Sequence, residues 1–238
     1  MTKLDKFTEE LKNTFGQRLK SVFVYGSKAN AGVADIDGNA DLMIIVENLS
    51  GEDIRNISKP AKKWMGGIFD KKKNPEPVFM GEKEWFNSAD TYAMEYADIK
   101  ESHKIIYGEN LICNIEVKHE DLRLKCEAET KNLLMKFRSH YLLYASNPSY
   151  LIKSVIPVVK TINAIFKTVL RLKNIEVSNS AHENLNKIAE LYTCDRAFYE
   201  KILCFKEKYC SMSTKETIEI ADKTVEELNK LLDYINNL

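Results

Sequence analysis

Two short apolar segments, joined by a Gly-Ser turn and a thirteen-residue loop, constrain the fold of this chain more than any other feature of its sequence. Residues 21–25 and 41–46 have the apolar, β-branched and aromatic character of buried strands. Gly26 and Ser27 follow the first segment directly, and Asp41 opens the second. A turn that frees backbone N–H groups can hold a phosphate, and a carboxylate on the neighbouring strand can hold the accompanying metal ion. The pattern therefore predicts a phosphate-binding turn beside a metal-binding strand end.

The rest of the first half alternates helical and extended patterns. Apolar residues recur at helical spacing before the first strand, and a polar turn separates the segments that follow the second strand. The predicted elements are a helix over 3–19, a helix over 52–69, a strand over 78–80, a helix over 82–90, a strand over 93–99 and a helix that ends at Gly108. These elements predict a mixed sheet with helices over residues 1–118.

From residue 119 onward the apolar spacing is helical throughout. The predicted helices cover 119–147, 151–172 with a kink at Pro157, 181–192 and 196–209. Ser213 and Glu216 form a capping box that opens the last helix. The two halves together predict an α+β fold, with a sheet domain over 1–118 followed by an all-α, up-down bundle over 119–238.

The charge balance, the cysteine spacing and the length of the apolar runs exclude several classes of protein. The 238 residues include 35 basic and 35 acidic side chains, so no broad electrostatic attraction to nucleic acid or to a membrane surface is expected. The five cysteines are odd in number and contain no Cys-x-x-Cys pair, which argues against a disulfide framework and a thiolate zinc site. No signal peptide or membrane-length apolar run is present in the sequence. These features predict a reduced, soluble, cytoplasmic protein.

The opening motif resembles the signature of the polymerase-β-type nucleotidyltransferases. In that signature a strand, a Gly-Ser turn and a spacer precede an acid, an apolar residue and a second acid. A sheet domain followed by a helical bundle is also similar to the small bacterial and archaeal members, including the antibiotic nucleotidyltransferases. The resemblance implies a nucleotidyltransferase-like domain over 1–118, with Gly26, Ser27 and Lys28 binding a nucleoside triphosphate and Asp41 binding Mg²⁺.

Two positions depart from the signature. Met43 stands where the second acid belongs, and a thioether is a poor ligand for a hard cation. Asn30 stands where small members often carry an arginine, and Lys28 is the candidate to replace part of that charge. The later acid is not uniquely marked: Asp98, on the strand predicted over 93–99, is assigned as the second metal ligand, and Glu95 is the other catalytic candidate.

The function that the resemblance implies is transfer of a nucleoside monophosphate from a nucleoside triphosphate to a hydroxyl group of a small molecule, a protein or RNA. The expected partners are the triphosphate and that acceptor, and no membrane is expected. A homodimer is the expected candidate assembly. Met43 leaves catalysis itself open. The alternative is an inactive relative that senses a nucleotide or binds a protein, and a third possibility is a purely structural helical adaptor.

The acidic loop before the second strand permits other interpretations. Asp35 and Asp37 could form a metal pair shifted towards the turn, although Gly38 would then interrupt the strand. The loop also resembles the start of a calcium site, but the EF-hand pattern requires glutamate at the twelfth position, where Val46 stands. An Asp/Asn/Gly turn that leads into the strand is the favoured interpretation.

Overall fold

The computed structural model describes residues 2–29, 36, 39–67, 73–206 and 213–238, without the side chains of Ser27 and Lys206. The chain divides into two compact units, Met1–Val117 and Lys118–Leu238. The first unit holds a mixed sheet with helices and the second is a helical bundle, so the fold is α+β as the sequence predicts. Within the described residues, no helix has the length and the apolar composition that crossing a bilayer demands.

The sheet of the first unit has four strands among the described residues, in the spatial order β3-β2-β1-β4. The central strands β1 and β2 pair antiparallel, β4 pairs antiparallel with β1, and β3 pairs parallel with β2. The bounds of the strands are β1 Leu19–Tyr25, β2 Asp41–Val46, β3 Val78–Gly81 and β4 His103–Gly108. The predicted strands over 21–25, 41–46 and 78–80 are therefore confirmed.

One face of the sheet packs on α1 (Lys3–Phe15) and α2 (Gly51–Met65). The apolar residues of α1 recur every three or four positions, which gives the helix one buried stripe. The ring of Phe7 stacks on Trp64 with 5.8 Å between the ring centroids. Alternate residues of the two central strands, such as Leu42 and Ile44, complete this core.

The opposite face of the sheet packs on α3 (Glu82–Asn87) and α4 (Ala93–Glu101), forming what we call the Trp85 core. Trp85 stacks on Tyr96 with 4.4 Å between ring centroids, and Tyr96 Oη donates a hydrogen bond to the Trp85 carbonyl at 2.7 Å. The buried members of the core are Phe23, Met43, Ile45, Met80, Trp85, Tyr96, Ile99, Leu111, Ile112 and Ile115.

The prediction of a strand over 93–99 followed by a helix ending at Gly108 is wrong, because the order is reversed. Residues 93–101 form α4 and residues 103–108 form β4. The buried residues of α4 include Ala93, Met94, Tyr96 and Ala97, a one-and-three spacing that fits a helix rather than alternation. Gly108 therefore ends a strand, where its φ of +80° lets the backbone approach β1 closely.

The second unit consists of helices of very different length. The bounds are α5 His119–Tyr144, α6 Pro148–Leu151, α7 Val155–Leu172, α8 Ala181–Leu191, α9 Arg196–Leu203 and α10 Thr214–Asn236. The capping box predicted at Ser213 and Glu216 is confirmed, since each residue bonds the other's backbone N–H. The helix predicted over 151–172 is divided, however. A short 3₁₀ turn precedes α7, so Pro157 lies in the first turn of a helix, where its missing N–H costs nothing, and not at a kink.

Candidate functional site

Three strand ends meet at the edge of the sheet where the Gly-Ser turn lies. Tyr25, the last residue of β1, pairs with Asp41 at the start of β2 and with His103 at the start of β4. The antiparallel pairing of β1 with both neighbours brings the end of the first strand and the beginnings of the other two to one place. The fold thus gathers the two parts of the sequence motif, as a metal-and-phosphate site requires.

Gly26 makes the turn and brings the backbone against the carboxylate. Its φ is +72°, a left-handed conformation that favours glycine. A Cβ atom at this position would lie 3.4 Å from Oδ2 of Asp41, so the Asp41 carboxylate faces the turn. The chain continues as a short 3₁₀ turn, Gly26–Lys28, closed by a hydrogen bond of 3.0 Å from the Ala29 N–H to the Gly26 carbonyl. A side chain at position 26 would therefore be strained by the backbone conformation and would touch the Asp41 carboxylate.

Ser102, between α4 and β4, holds Gly26 on both sides. The Gly26 N–H donates to the Ser102 carbonyl at 3.1 Å, and Ser102 Oγ donates to the Gly26 carbonyl at 3.0 Å. The His103 ring is held by the Ile99 carbonyl, which lies 2.8 Å from Nδ1. Because a carbonyl oxygen can only accept, Nδ1 is the donor of this hydrogen bond. The sequence motif gives no signal for Ser102, because that residue lies 76 positions from the glycine that it fixes.

Burial and neighbouring carboxylates shift the pKa values of two described residues of the site. Burial raises the pKa of Asp41, and Asp41 is half-buried. Burial first, then the negative charges of Asp41 and Glu95, raise the pKa of Tyr25 to about 12. Glu95 is exposed on α4 and acts on the same phenol as Asp41, so both acids bear on this end of the sheet. Additional positive charge here would relieve the burial cost of Asp41.

Asp98, which the sequence analysis assigns as the second metal ligand, lies on a helix instead of the predicted strand. Asp98 lies on α4 and not on a strand, is half-buried, and accepts a hydrogen bond from the Ser102 N–H at its carbonyl. Across the described part of the chain, no three His, Cys, Asp or Glu side chains converge as a metal site would need. Lys28 is half-buried on the turn, and the side chain of Ser27 lies outside the described residues.

Met43 occupies the Trp85 core. It lies on the same face of β2 as Asp41, two residues further along, and is only 6% exposed. Its neighbours in that core include Phe23 and Ile45, which offer no oxygen ligand. The position that carries the second acid in the nucleotidyltransferase signature is therefore part of the apolar packing in this chain.

A buried asparagine, Asn74, holds the backbone of the residue that precedes Asp41. The Asn74 side chain accepts a hydrogen bond from the Ala40 N–H at 3.3 Å and donates one to the Trp64 carbonyl at 3.0 Å. The acidic loop candidates Asp35 and Asp37 lie outside the described residues, while Ile36 between them is fully buried in the α1–α2 core.

Comparison with known proteins supports the fold that the motif predicts. No protein-family model and no curated protein matches this sequence. Among solved structures, the chain is similar to spectinomycin adenyltransferase AAD(9) from Enterococcus faecialis, whose crystal structure contains ATP and spectinomycin. The TM-score is 0.60 at 13% identity, covering 98% of each chain. A nucleotidyltransferase-like protein from Exiguobacterium sibiricum 255-15 matches with a TM-score of 0.44 at 12% identity, covering 97% of this chain and 74% of that one.

The likeness to the adenyltransferase covers 98% of this chain and therefore includes both its sheet unit and its helical unit. The chain therefore has the nucleotidyltransferase fold, and the motif of Gly26 and Asp41 lies at one end of its sheet.

Proposed function

We propose that this protein binds a nucleoside triphosphate together with Mg²⁺ at the Gly26 turn and transfers the nucleoside monophosphate to a hydroxyl acceptor. The observation that carries the proposal is the approach of the Asp41 carboxylate to the backbone of Gly26 within a nucleotidyltransferase fold. The nucleotide would accept hydrogen bonds from the turn through its phosphates, as the resemblance implies for Gly26, Ser27 and Lys28.

The described residues fit one magnesium ion better than two. Mg²⁺ is commonly held by one or two carboxylates together with substrate phosphates and water. Asp41 can supply one such carboxylate, and the buried Met43 supplies none. When bound, the ion would neutralise phosphate charge. Asp98 and Glu95 on α4 remain the candidates for a second ligand or for the group that receives the acceptor's proton.

Titration of the protein with Mg·ATP in a calorimeter tests the proposal, and Asp41→Asn is the matched variant because it removes charge while keeping shape. We expect the wild type to bind and the variant to bind at least about tenfold more weakly, a loss of roughly 1.4 kcal/mol. Parallel titrations of Asp98→Asn and Glu95→Gln identify which acid on α4 contributes. A wild type that does not bind Mg·ATP would overturn the proposal.

Binding of the nucleotide without transfer is the second candidate, and the burial of Met43 favours it. An impaired ion site would leave the phosphate-binding turn intact while removing most of the stabilisation of the reaction. Release of pyrophosphate from ATP, measured with hydroxyl acceptors of the three classes (small molecules, proteins and RNA), separates the two candidates. Transfer above the rate of the Asp41→Asn variant supports catalysis, and binding without any such transfer supports the sensor.

A further inference from the structure

Three side chains form a row across the sheet at the end where the glycine turn lies. Tyr25 pairs directly with Asp41 on one side and with His103 on the other. Directly paired residues of antiparallel strands point to the same face of a sheet. Ile105, two residues beyond His103 on β4, packs against the Trp85 core, so the row lies on the face that α4 covers. We call these three residues the strand-end row.

The last turn of α4 orients the His103 ring. Nδ1 donates to the Ile99 carbonyl, one of the terminal carbonyls that a helix leaves without a partner of its own. With its hydrogen on Nδ1, the neutral ring carries a lone pair on Nε2. The described residues give Nε2 no hydrogen-bond partner, and His103 is only half-buried. The structure thus presents a ring nitrogen that can accept a hydrogen bond at the same end of the sheet as Asp41.

The members of the strand-end row differ in what each can do with a proton. Burial, and then the charges of Asp41 and Glu95, raise the pKa of Tyr25 to about 12, so the phenol keeps its proton at neutral pH. Asp41 is the carboxylate proposed to bind the magnesium ion, and a metal ligand must stay deprotonated. Within the row, His103 is therefore the residue with an unused lone pair.

We propose that Nε2 of His103 receives the proton of the hydroxyl acceptor, an inference that rests on the transfer reaction proposed above. Adjacent strands lie about 4.8 Å apart, so the Cα atoms of Asp41 and His103 are about 10 Å apart across Tyr25. The ion and the ring nitrogen would then act from opposite sides of Tyr25. On this proposal Glu95 and Asp98 are left as candidates for the ion.

The step balances without a further reactant. The acceptor oxygen forms its bond to the α-phosphorus of the triphosphate. The bond from that phosphorus to the oxygen bridging to the β-phosphate breaks, and pyrophosphate leaves with the electron pair. The hydroxyl proton passes to Nε2, which makes an imidazolium whose Nδ1 still donates to the Ile99 carbonyl, and water then takes the proton.

His103→Asn separates this role from the capping of α4. Its amide nitrogen is attached to Cγ, as Nδ1 is in histidine, so the variant can keep the bond to Ile99 while it lacks Nε2. We expect it to bind Mg·ATP as the wild type does in the calorimeter. Pyrophosphate release with hydroxyl acceptors should be about a hundredfold slower or more, since a positioned base contributes about 10²–10⁴-fold. His182→Asn, at an exposed histidine of α8, is the matched control and should change neither measurement.

Two further readouts separate proton acceptance from a purely structural role. Free imidazole should speed transfer by His103→Ala, because it supplies the missing proton acceptor. It should not speed transfer by Asp41→Asn, which lacks the proposed ion ligand instead. NMR of the ring nitrogens tests the tautomer without any substrate, and the hydrogen of the neutral His103 ring should lie on Nδ1. Circular dichroism of each variant verifies that it is folded.

Transfer by His103→Asn at the wild-type rate would overturn the proposal, as would a neutral ring with its hydrogen on Nε2. Weaker binding of Mg·ATP by this variant would also overturn it, because His103 would then support the nucleotide site itself. A wild type that binds Mg·ATP but transfers to no acceptor would overturn this inference and leave nucleotide binding standing. A wild type that does not bind Mg·ATP would overturn the proposed function as well.

Discussion

Met43→Asp would restore the carboxylate that the nucleotidyltransferase signature places two residues after Asp41. Met43 is 6% exposed and packs with Phe23 and Trp85 in an apolar core. The introduced carboxyl would thus lie on the same face of β2 as Asp41 but against hydrocarbon. The substitution asks whether the missing ligand can be supplied within this packing or whether the packing has made that position unusable.

Two costs contribute to the expected loss of stability. Truncating a buried methionine costs about 2–5 kcal/mol when a cavity remains. Met43→Asn carries this cost together with an unpaired amide, and we expect a loss of about 3 kcal/mol or more. Met43→Asp adds ionisation. Burial raises the pKa of the introduced carboxyl, so the folded chain binds more protons than the unfolded chain and stability falls as pH rises, by up to about 1.4 kcal/mol per unit.

Urea unfolding at pH 5 and at pH 8 measures both costs. Circular dichroism reports the helices, and tryptophan fluorescence reports the two cores of the sheet unit, one holding Trp64 and the other Trp85. We expect Met43→Asp to be less stable than Met43→Asn at pH 8 and closer to it at pH 5. Met43→Leu conserves volume and should cost less than about 1.5 kcal/mol.

Magnesium gives the experiment its functional readout. Because Asp41 and position 43 share one face, Mg²⁺ between the two carboxylates should stabilise Met43→Asp more than Met43→Asn, which keeps the carboxylate of Asp41 alone. Equal stability of the two variants at pH 8 would refute the reasoning, since the introduced carboxyl would then reach water and position 43 would not be part of the core.

Three further substitutions test the frame around the site. Gly108→Ala should cost about 3 kcal/mol or more in urea unfolding, because its Cβ would lie 2.0 Å from the Lys20 carbonyl oxygen at a φ of +80°. Gly16→Ala is the control: its φ is also positive, but its Cβ would meet no atom within 4 Å, so it should cost less than Gly108→Ala. Asn74→Ala should cost about 1–3 kcal/mol for each backbone group that it leaves unpaired, and equal stability to the wild type would contradict its role. Asp41→Asn should raise the melting temperature at pH 7. The pKa of Asp41 is raised in the folded chain, so the stability of the wild type falls as the pH rises above the ordinary value of 3.8. Below that pH the wild type and the variant should have the same melting temperature.

The central strands and their motif could be predicted because their signals are local. Residues 41–46 are β-branched and apolar, and the strand starts at Asp41 as predicted. The two central strands pair so that Tyr25 meets Asp41, which brings the glycine turn and the acid together across the loop between them. Local pattern and tertiary pairing agree here, which is the condition under which sequence-based prediction succeeds.

The second part of the site could not be predicted, for two physical reasons. The segment 93–99 is apolar on most sides because α4 is largely buried, and a buried helix shows little of the polar-apolar contrast that separates a helix from a strand. Ser102 acts on Gly26 through tertiary contact across 76 residues, and no spacing rule connects the two positions. The choice between Asp98 and Glu95 stays a prediction. The sequence analysis placed both residues on a strand, where positions three apart lie on opposite faces and only one of them would point to the site.

The contrast between Asp41 and Met43 bears on what the site can do. Burial raises the pKa of Asp41, so the folded protein holds this carboxylate at a cost to its stability that a cation at the turn would offset. Two residues further along the same face, a carboxylate would be buried more deeply, and the chain has a methionine that packs instead. A charged group is thus present where the end of the strand is half-buried and absent where the strand enters the core. The proposed site would then take one magnesium ion with its nucleotide, and Asp98 and Glu95 of α4 stay the proposed candidates for the remaining catalytic roles.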